Sequence, residues 1–181
     1  MRLGQLVTMK MGVNQRRLPG GVPTCRYTYQ DLLNDLAGGA PNAPTDRRPA
    51  GTHTIQVGDL VYSLTRDQLA PVSAATAGKV LTQNFIRWQL VTDQVTPQYL
   101  CYCLNQSPLI AQQLGRLRGS SPTAKLSLGR LQQLDVPILP LTEQRLWGQL
   151  YLNLQRQRAL RQRLTTLQTQ LLRGMDLQTS R

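Results

Sequence analysis

GSSPTAKLSLGRLQQLDVPILPLTEQRL, residues 119–146, decides the architecture of this chain. It begins as a polar, basic loop rich in turn formers, with Gly119 and Pro122 as punctuation. From Lys125 to Ile138 it reads as strand and turn, broken by Pro137 and Pro140, neither of which can donate to a ladder. Beyond Leu141 the composition changes. Thr142 is a candidate N-cap, and Glu143, the one glutamate of the chain, suits a first helical turn. A loop-bearing body therefore gives way to a long helix, and nothing in the junction carries clustered reactive side chains.

Past the junction, apolar residues recur at Leu146, Leu150, Leu160, Leu164, Leu167 and Leu171, with Asn153 and Gln157 at the intervening places. Steps of four and three make a heptad seam with a polar break. About thirty residues of helix make a rod roughly 45 Å long. A body this small cannot cover such a stripe along its whole length, so these six leucines are expected to pair with another helix. The first two turns, with Trp147 and Tyr151, could instead fold back on the body. Arg156, Arg158, Arg161 and Arg163 read as a solvated face or a partner contact.

Upstream, Leu3 to Val13 reads as a short strand or helix opening, and Asn14 to Gly21 as a basic loop. Arg26 to Leu36 turns helical, and Ala37 to Gly51 is a long surface loop. Leu60 to Leu64 is a buried strand after a Gly58-Asp59 turn, Arg66 to Thr76 a polar loop, and Val80 to Thr92 a strand. Thr96-Pro97 opens a helix to about Gln106, and Ser107-Pro108 a second to about Leu117. The expected fold class is mixed α/β: a globular domain over residues 1–140, then a long coiled-coil helix over 141–178.

The chain has 181 residues, with Lys plus Arg at 21 against 9 for Asp plus Glu, a formal charge of +12. That length allows one domain with an appendage, and that charge favours a polyanionic partner. Nearly all the cations are arginines, whose planar fork suits phosphates and the guanine edge, although arginine-rich codon usage would give the same count. No apolar run is long enough for a membrane span and the N-terminus lacks a signal-peptide core, so the cytoplasm is the expected compartment. Cys25, Cys101 and Cys103 form neither a disulfide framework nor a zinc set, and the last two suit packing.

Catalytic chemistry is not written here. Metal-dependent nucleases need clustered carboxylates, and the acids are scattered. Base methylation needs a cofactor pocket and an Asp/Asn-Pro-Pro-aromatic turn, whereas Thr96-Pro-Gln-Tyr is a helix start. Phosphate-loop and dinucleotide fingerprints are absent, and His53, the sole histidine, has no nucleophile beside it in sequence. Base reading instead needs arginine, lysine, amides and small hydroxyls in loops. Three loops offer them: Arg16 and Arg17; Arg66 and Gln68, followed by Lys79 and Gln83; and Arg116, Arg118, Ser120, Ser121, Thr123 and Lys125. Asp67 either holds the Arg66 guanidinium flat or caps its own turn. Arg47 and Arg48 are placed to touch phosphates or nothing.

Five segments in order resemble the specificity subunit of type I restriction–modification enzymes: Gly58-Asp-Leu-Val-Tyr-Ser-Leu, Thr82-Gln-Asn-Phe-Ile-Arg, Pro97-Gln-Tyr-Leu-Cys-Tyr-Cys-Leu-Asn, Gly119-Ser-Ser-Pro-Thr, and Leu131 through Gln144. Such subunits carry two target recognition domains, each followed by a helix, whereas this chain has one of each and no internal repeat. The resemblance implies a half subunit, with the second and third loops facing double-stranded DNA. It implies a homodimer through the helix, a symmetric bipartite target, and docking of methyltransferase subunits together with a restriction/translocase subunit. S-adenosylmethionine, Mg2+ and ATP would belong to those partners and not to this chain. The alternative is a stand-alone DNA-binding regulator with a coiled-coil dimer stalk.

Overall fold

The computed structural model describes residues 1–14, 25–39, 54–119 and 126–179, with side chains to residue 174. Its centre is a four-stranded antiparallel sheet in the order β1-β4-β2-β3, formed by Val7–Met11, Phe85–Leu90, Leu60–Ser63 and Gln68–Pro71. β2 is buried at all four positions: its apolar residues Leu60, Val61 and Tyr62 predict this, and the buried Ser63 hydroxyl is hydrogen-bonded to that of Thr65. Tyr62 of β2 and Trp88 of β4 stack with ring centres 5.1 Å apart in the core.

Six helices surround the sheet among the described residues: α1 Leu3–Leu6, α2 Tyr29–Leu36, α3 Pro97–Gln106, α4 Pro108–Arg118, α5 Leu128–Gln132 and α6 Leu141–Thr179. α2 starts at a capping box: Thr28 accepts from the Asp31 N–H, and the Asp31 carboxylate accepts from the Thr28 N–H at 2.9 Å. α3 and α4 start as expected at Thr96-Pro97 and Ser107-Pro108. Buried Cys101 and Cys103 pack in α3, their thiols raised by burial, Cys103 to about 11.

Several local expectations are corrected. The polar stretch 66–76 contains β3, because Leu69 and Ala70 face the core and the backbone of β2 supplies the pairing. The strand expected over 80–92 is split: Val80 and Thr82 make isolated bridges, and β4 proper begins at Phe85. Where strand and turn are expected, the described residues 126–138 hold the short helix α5, capped by Ser127. α6 begins at Leu141, so Thr142 lies inside its first turn and is not the cap.

β3 is an edge strand, and its open side is met by Asn105 of α3. The Leu69 N–H donates to Asn105 Oδ1, and Asn105 Nδ2 donates to the Leu69 carbonyl, each at 2.8 Å. One side chain thus occupies both backbone groups that would otherwise pair with another chain. Asn105 Nδ2 also donates to the Tyr151 hydroxyl of α6 at 2.7 Å.

α6 has 39 residues, a length of roughly 58 Å. Its root is fastened to the body by Gln144, which is 0% exposed. The Thr96 N–H donates to Gln144 Oε1 at 2.9 Å, and Gln144 Nε2 donates to the carbonyls of Gln94 and Leu139 at 2.8 Å each. One turn on, Gly148 lies against the α3 backbone: a Cβ there would sit 2.7 Å from the Gln98 carbonyl carbon and the Tyr99 nitrogen. Trp147 stacks on Tyr102, and Tyr151 is buried. The body therefore covers one face of the first turns. The seam leucines lie on the opposite face, and Leu146, Leu150, Leu160, Leu164, Leu167 and Leu171 are 53–66% exposed.

Candidate nucleic-acid interface

Strand register gathers separate loops at one end of the sheet. β1 ends at Met11 opposite Ile86, and β2 ends at Ser63 opposite Phe85. Residues 12–14, the 64–67 turn and residues 82–84 therefore emerge side by side. They are tied by a Val13–Thr82 bridge and by the Leu64 N–H donating to the Asn84 carbonyl at 2.9 Å. A side chain on Gly12 would collide with the Thr82 carbonyl at 2.2 Å, so this crossing requires glycine. The root of α6 lies at the other end, against the residues that follow β4.

The β2–β3 turn is the centre of this end. Asp67 adopts a left-handed backbone with φ +50°, a conformation aspartate tolerates. Its carboxylate does not hold Arg66. One oxygen accepts from the Tyr62 hydroxyl at 2.9 Å, and the other is paired with the Arg118 guanidinium at the C-terminus of α4. Burial first, and then the Asp67 charge, push the Tyr62 phenol well above its ordinary range, so it stays a donor. Arg66 lies instead over the ring of Tyr29, 5.3 Å from its centre, and the Tyr29 hydroxyl donates to Gln68 Oε1 at 2.7 Å.

The fold thus brings together Arg66, Gln68 and Arg118, with exposed Gln83 on the neighbouring turn. Lys79 is engaged, its ammonium 2.7 Å from the carboxylate of Asp31, two residues on from Tyr29 in α2. Arg116 is not brought in. Two residues from Arg118 on the same helix it faces the other way, lining a groove with Gln113, Asp135 and Pro137. Arg16, Arg17, Arg47, Arg48, His53, Ser120, Ser121, Thr123 and Lys125 lie outside the described residues. Tyr29 and Tyr62 escaped the sequence reading. Their only sequence signals were an aromatic beside a helix cap and an aromatic in a buried strand, and the arginines they serve are remote in the chain.

No family model matches the sequence, and no curated protein matches it. Solved structures do. The chain is similar to the HsdS subunit from Thermoanaerobacter tengcongensis, at 19% identity and a TM-score of 0.54, over 87% of this chain and 37% of that one. It is similar to a chain from a structural study of complex assembly and conformational transition of the type I R-M system, at 18% identity and a TM-score of 0.60, over 96% and 42%. The S subunit of the type I restriction–modification system from M. genitalium matches at 12% identity and a TM-score of 0.55, over 93% and 42%. At these identities the likeness is one of fold. It is the fold that the sequence resemblance implied, and the chain spans 37–42% of the length of the chains it matches. Among the described residues no helix is long and apolar enough to cross a membrane.

Proposed function

We propose that this chain reads a double-stranded DNA sequence as a non-catalytic specificity module, with one target recognition domain, residues 1–140, carried on a helix, residues 141–178. The observation that carries this reading is the gathering of Arg66, Gln68, Gln83 and Arg118 at the sheet end remote from the helix root, in a fold shared with specificity subunits. Arginine and amides offered from loops on a rigid sheet suit base-edge reading, and the net charge of +12 suits a polyanion.

The exposed seam is read as a pairing surface for a second copy. Antiparallel pairing centred between residues 158 and 159 sets Leu146 against Leu171 and Leu150 against Leu167, with Leu160 and Leu164 near the middle beside Gln157 and Asn153. A two-fold pair holds the two reading ends apart and gives a symmetric, bipartite target. Methyltransferase subunits, with a restriction/translocase subunit, dock on that frame and bring S-adenosylmethionine, Mg2+ and ATP.

Co-expression with methyltransferase subunits, followed by mapping of modified adenines, tests the reading. Modification at two inverted half-sites with a fixed spacer is expected. Modification without a sequence rule, or a chain that binds its site tightly and never recruits a methyltransferase, refutes it; the second outcome would favour a stand-alone regulator.

A further inference from the structure

Three cations of the described body have acidic partners: Lys79 with Asp31, Arg87 with Asp59, and Arg118 with Asp67. At the loop end of the sheet Arg66 is exposed and has no acidic partner among the described residues. Tyr29 is what holds it. The ring carries the Arg66 guanidinium, and its hydroxyl engages the acceptor oxygen of Gln68. The Gln68 amide nitrogen donates to nothing among the described residues. Between the two, Asp67 is turned away to Tyr62 and Arg118.

The consequence is chemical. Arginine has donors only, and the Tyr29 hydroxyl takes one of the two lone pairs of the Gln68 oxygen, so the amide keeps both N–H donors and one lone pair. In the major groove an adenine edge offers one acceptor and one donor, which a glutamine reads with both ends of its amide. A guanine edge offers two acceptors, N7 and O6. We propose that Tyr29 holds Arg66 as a donor fork whose ligand is the N7 and O6 acceptors of guanine in the major groove, with Gln68 tied beside it on the neighbouring base pair, so that each half-site contains a guanine read by this turn. The inference rests on the DNA-reading role above and adds the base class and Tyr29 as the positioning residue.

The probe is a random-sequence duplex library, selected with the full chain at low salt and sequenced, then repeated with Arg66→Lys and Tyr29→Phe. The wild-type pool should carry an invariant guanine. Arg66→Lys keeps the charge on an exposed side chain and loses the fork. It should hold random duplex as well as wild type while its guanine preference falls roughly 5- to 150-fold. Tyr29→Phe keeps the ring, so the guanine should persist while the choice at the neighbouring base pair widens. An Arg66→Lys pool with the same guanine preference, equal loss on specific and random DNA, or a Tyr29→Phe pool identical to wild type would overturn the proposal. Absence of any enrichment by the wild-type chain would instead remove the DNA-reading role on which it stands.

Discussion

Gln144 fastens the rod to the body, and replacing it tests that joint directly. Gln144→Ala strands three groups: the Thr96 N–H and the carbonyls of Gln94 and Leu139, all now bonded at 2.8–2.9 Å. Leaving a buried polar group unmatched costs about 1–3 kcal/mol each. Water will reach some of the opened space, so a total of about 3–5 kcal/mol is expected, roughly a fifth or more of the ~5–15 kcal/mol typical of a domain. Urea unfolding followed by far-UV circular dichroism should show a lower midpoint at unchanged slope. The melting temperature should fall on the order of 10 °C. Gln144→Glu sharpens the test. It keeps an acceptor for Thr96 but sets its second oxygen against two carbonyls. The buried acid then binds a proton more readily folded than unfolded, so its stability should fall as pH rises above the ordinary glutamate value of about 4.3. A loss under about 1 kcal/mol for Gln144→Ala, or a Gln144→Glu variant indifferent to pH, would show that the helix root is held by something other than this amide.

Other perturbations follow from the same packing. Asp35 is buried and accepts from the Tyr27 hydroxyl at 2.8 Å, from Thr76 Oγ1 at 2.8–2.9 Å and from the Ser73 N–H at 3.2 Å. Burial raises its carboxyl above the ordinary range. Its contribution is therefore complete below the unfolded value and is lost as pH rises through the folded one. Asp35→Asn should accordingly cost more at pH 4 than at pH 7 by urea midpoint, and the opposite slope would refute this. Gly148→Ala forces α6 off the α3 backbone and should cost about 1–3 kcal/mol by the same assay, whereas Gly115→Ala, with open space around it, should cost nothing measurable. Leu160→Lys with Leu164→Lys should give monomers by light scattering without changing the melting of the body, since both side chains are exposed. Wild-type self-association should tighten as salt is raised, because Arg156, Arg161 and Arg163 flank the seam with no acid beside them; weakening with salt would argue against pairing of identical helices.

Local chemistry was legible in the chain. The starts of α3 and α4 follow from Thr96-Pro97 and Ser107-Pro108: Thr96 accepts from the Tyr99 N–H, a contact over three residues that needs nothing distant, and α4 starts on Pro108 without a side-chain cap from Ser107. Burial of Leu60 to Tyr62 follows from an apolar run, and the exposed stripe of α6 from leucine spacing alone. Other features had no local signal. β3 hides in a polar stretch because its pairing comes from β2 and its outer edge is satisfied by Asn105, 36 residues from Leu69. Gln144 looked like one polar residue in a helix start until the 94–96 and 139 backbones closed around it.

The sequence by itself determined that a basic body ends in a leucine-seamed helix, because charge and periodicity are properties of the chain read in order. Only the tertiary structure decided which side chains share a surface. Asp67 stands beside Arg66 in sequence yet binds Arg118, 51 residues away, while Arg66 goes to Tyr29. A left-handed turn aims one carboxylate inward to a buried phenol and the end of a helix, and antiparallel register delivers the remaining partners to the same edge of the sheet. Side-chain direction at a turn is set by backbone angles and by what packs against them, and neither is written in the order of residues.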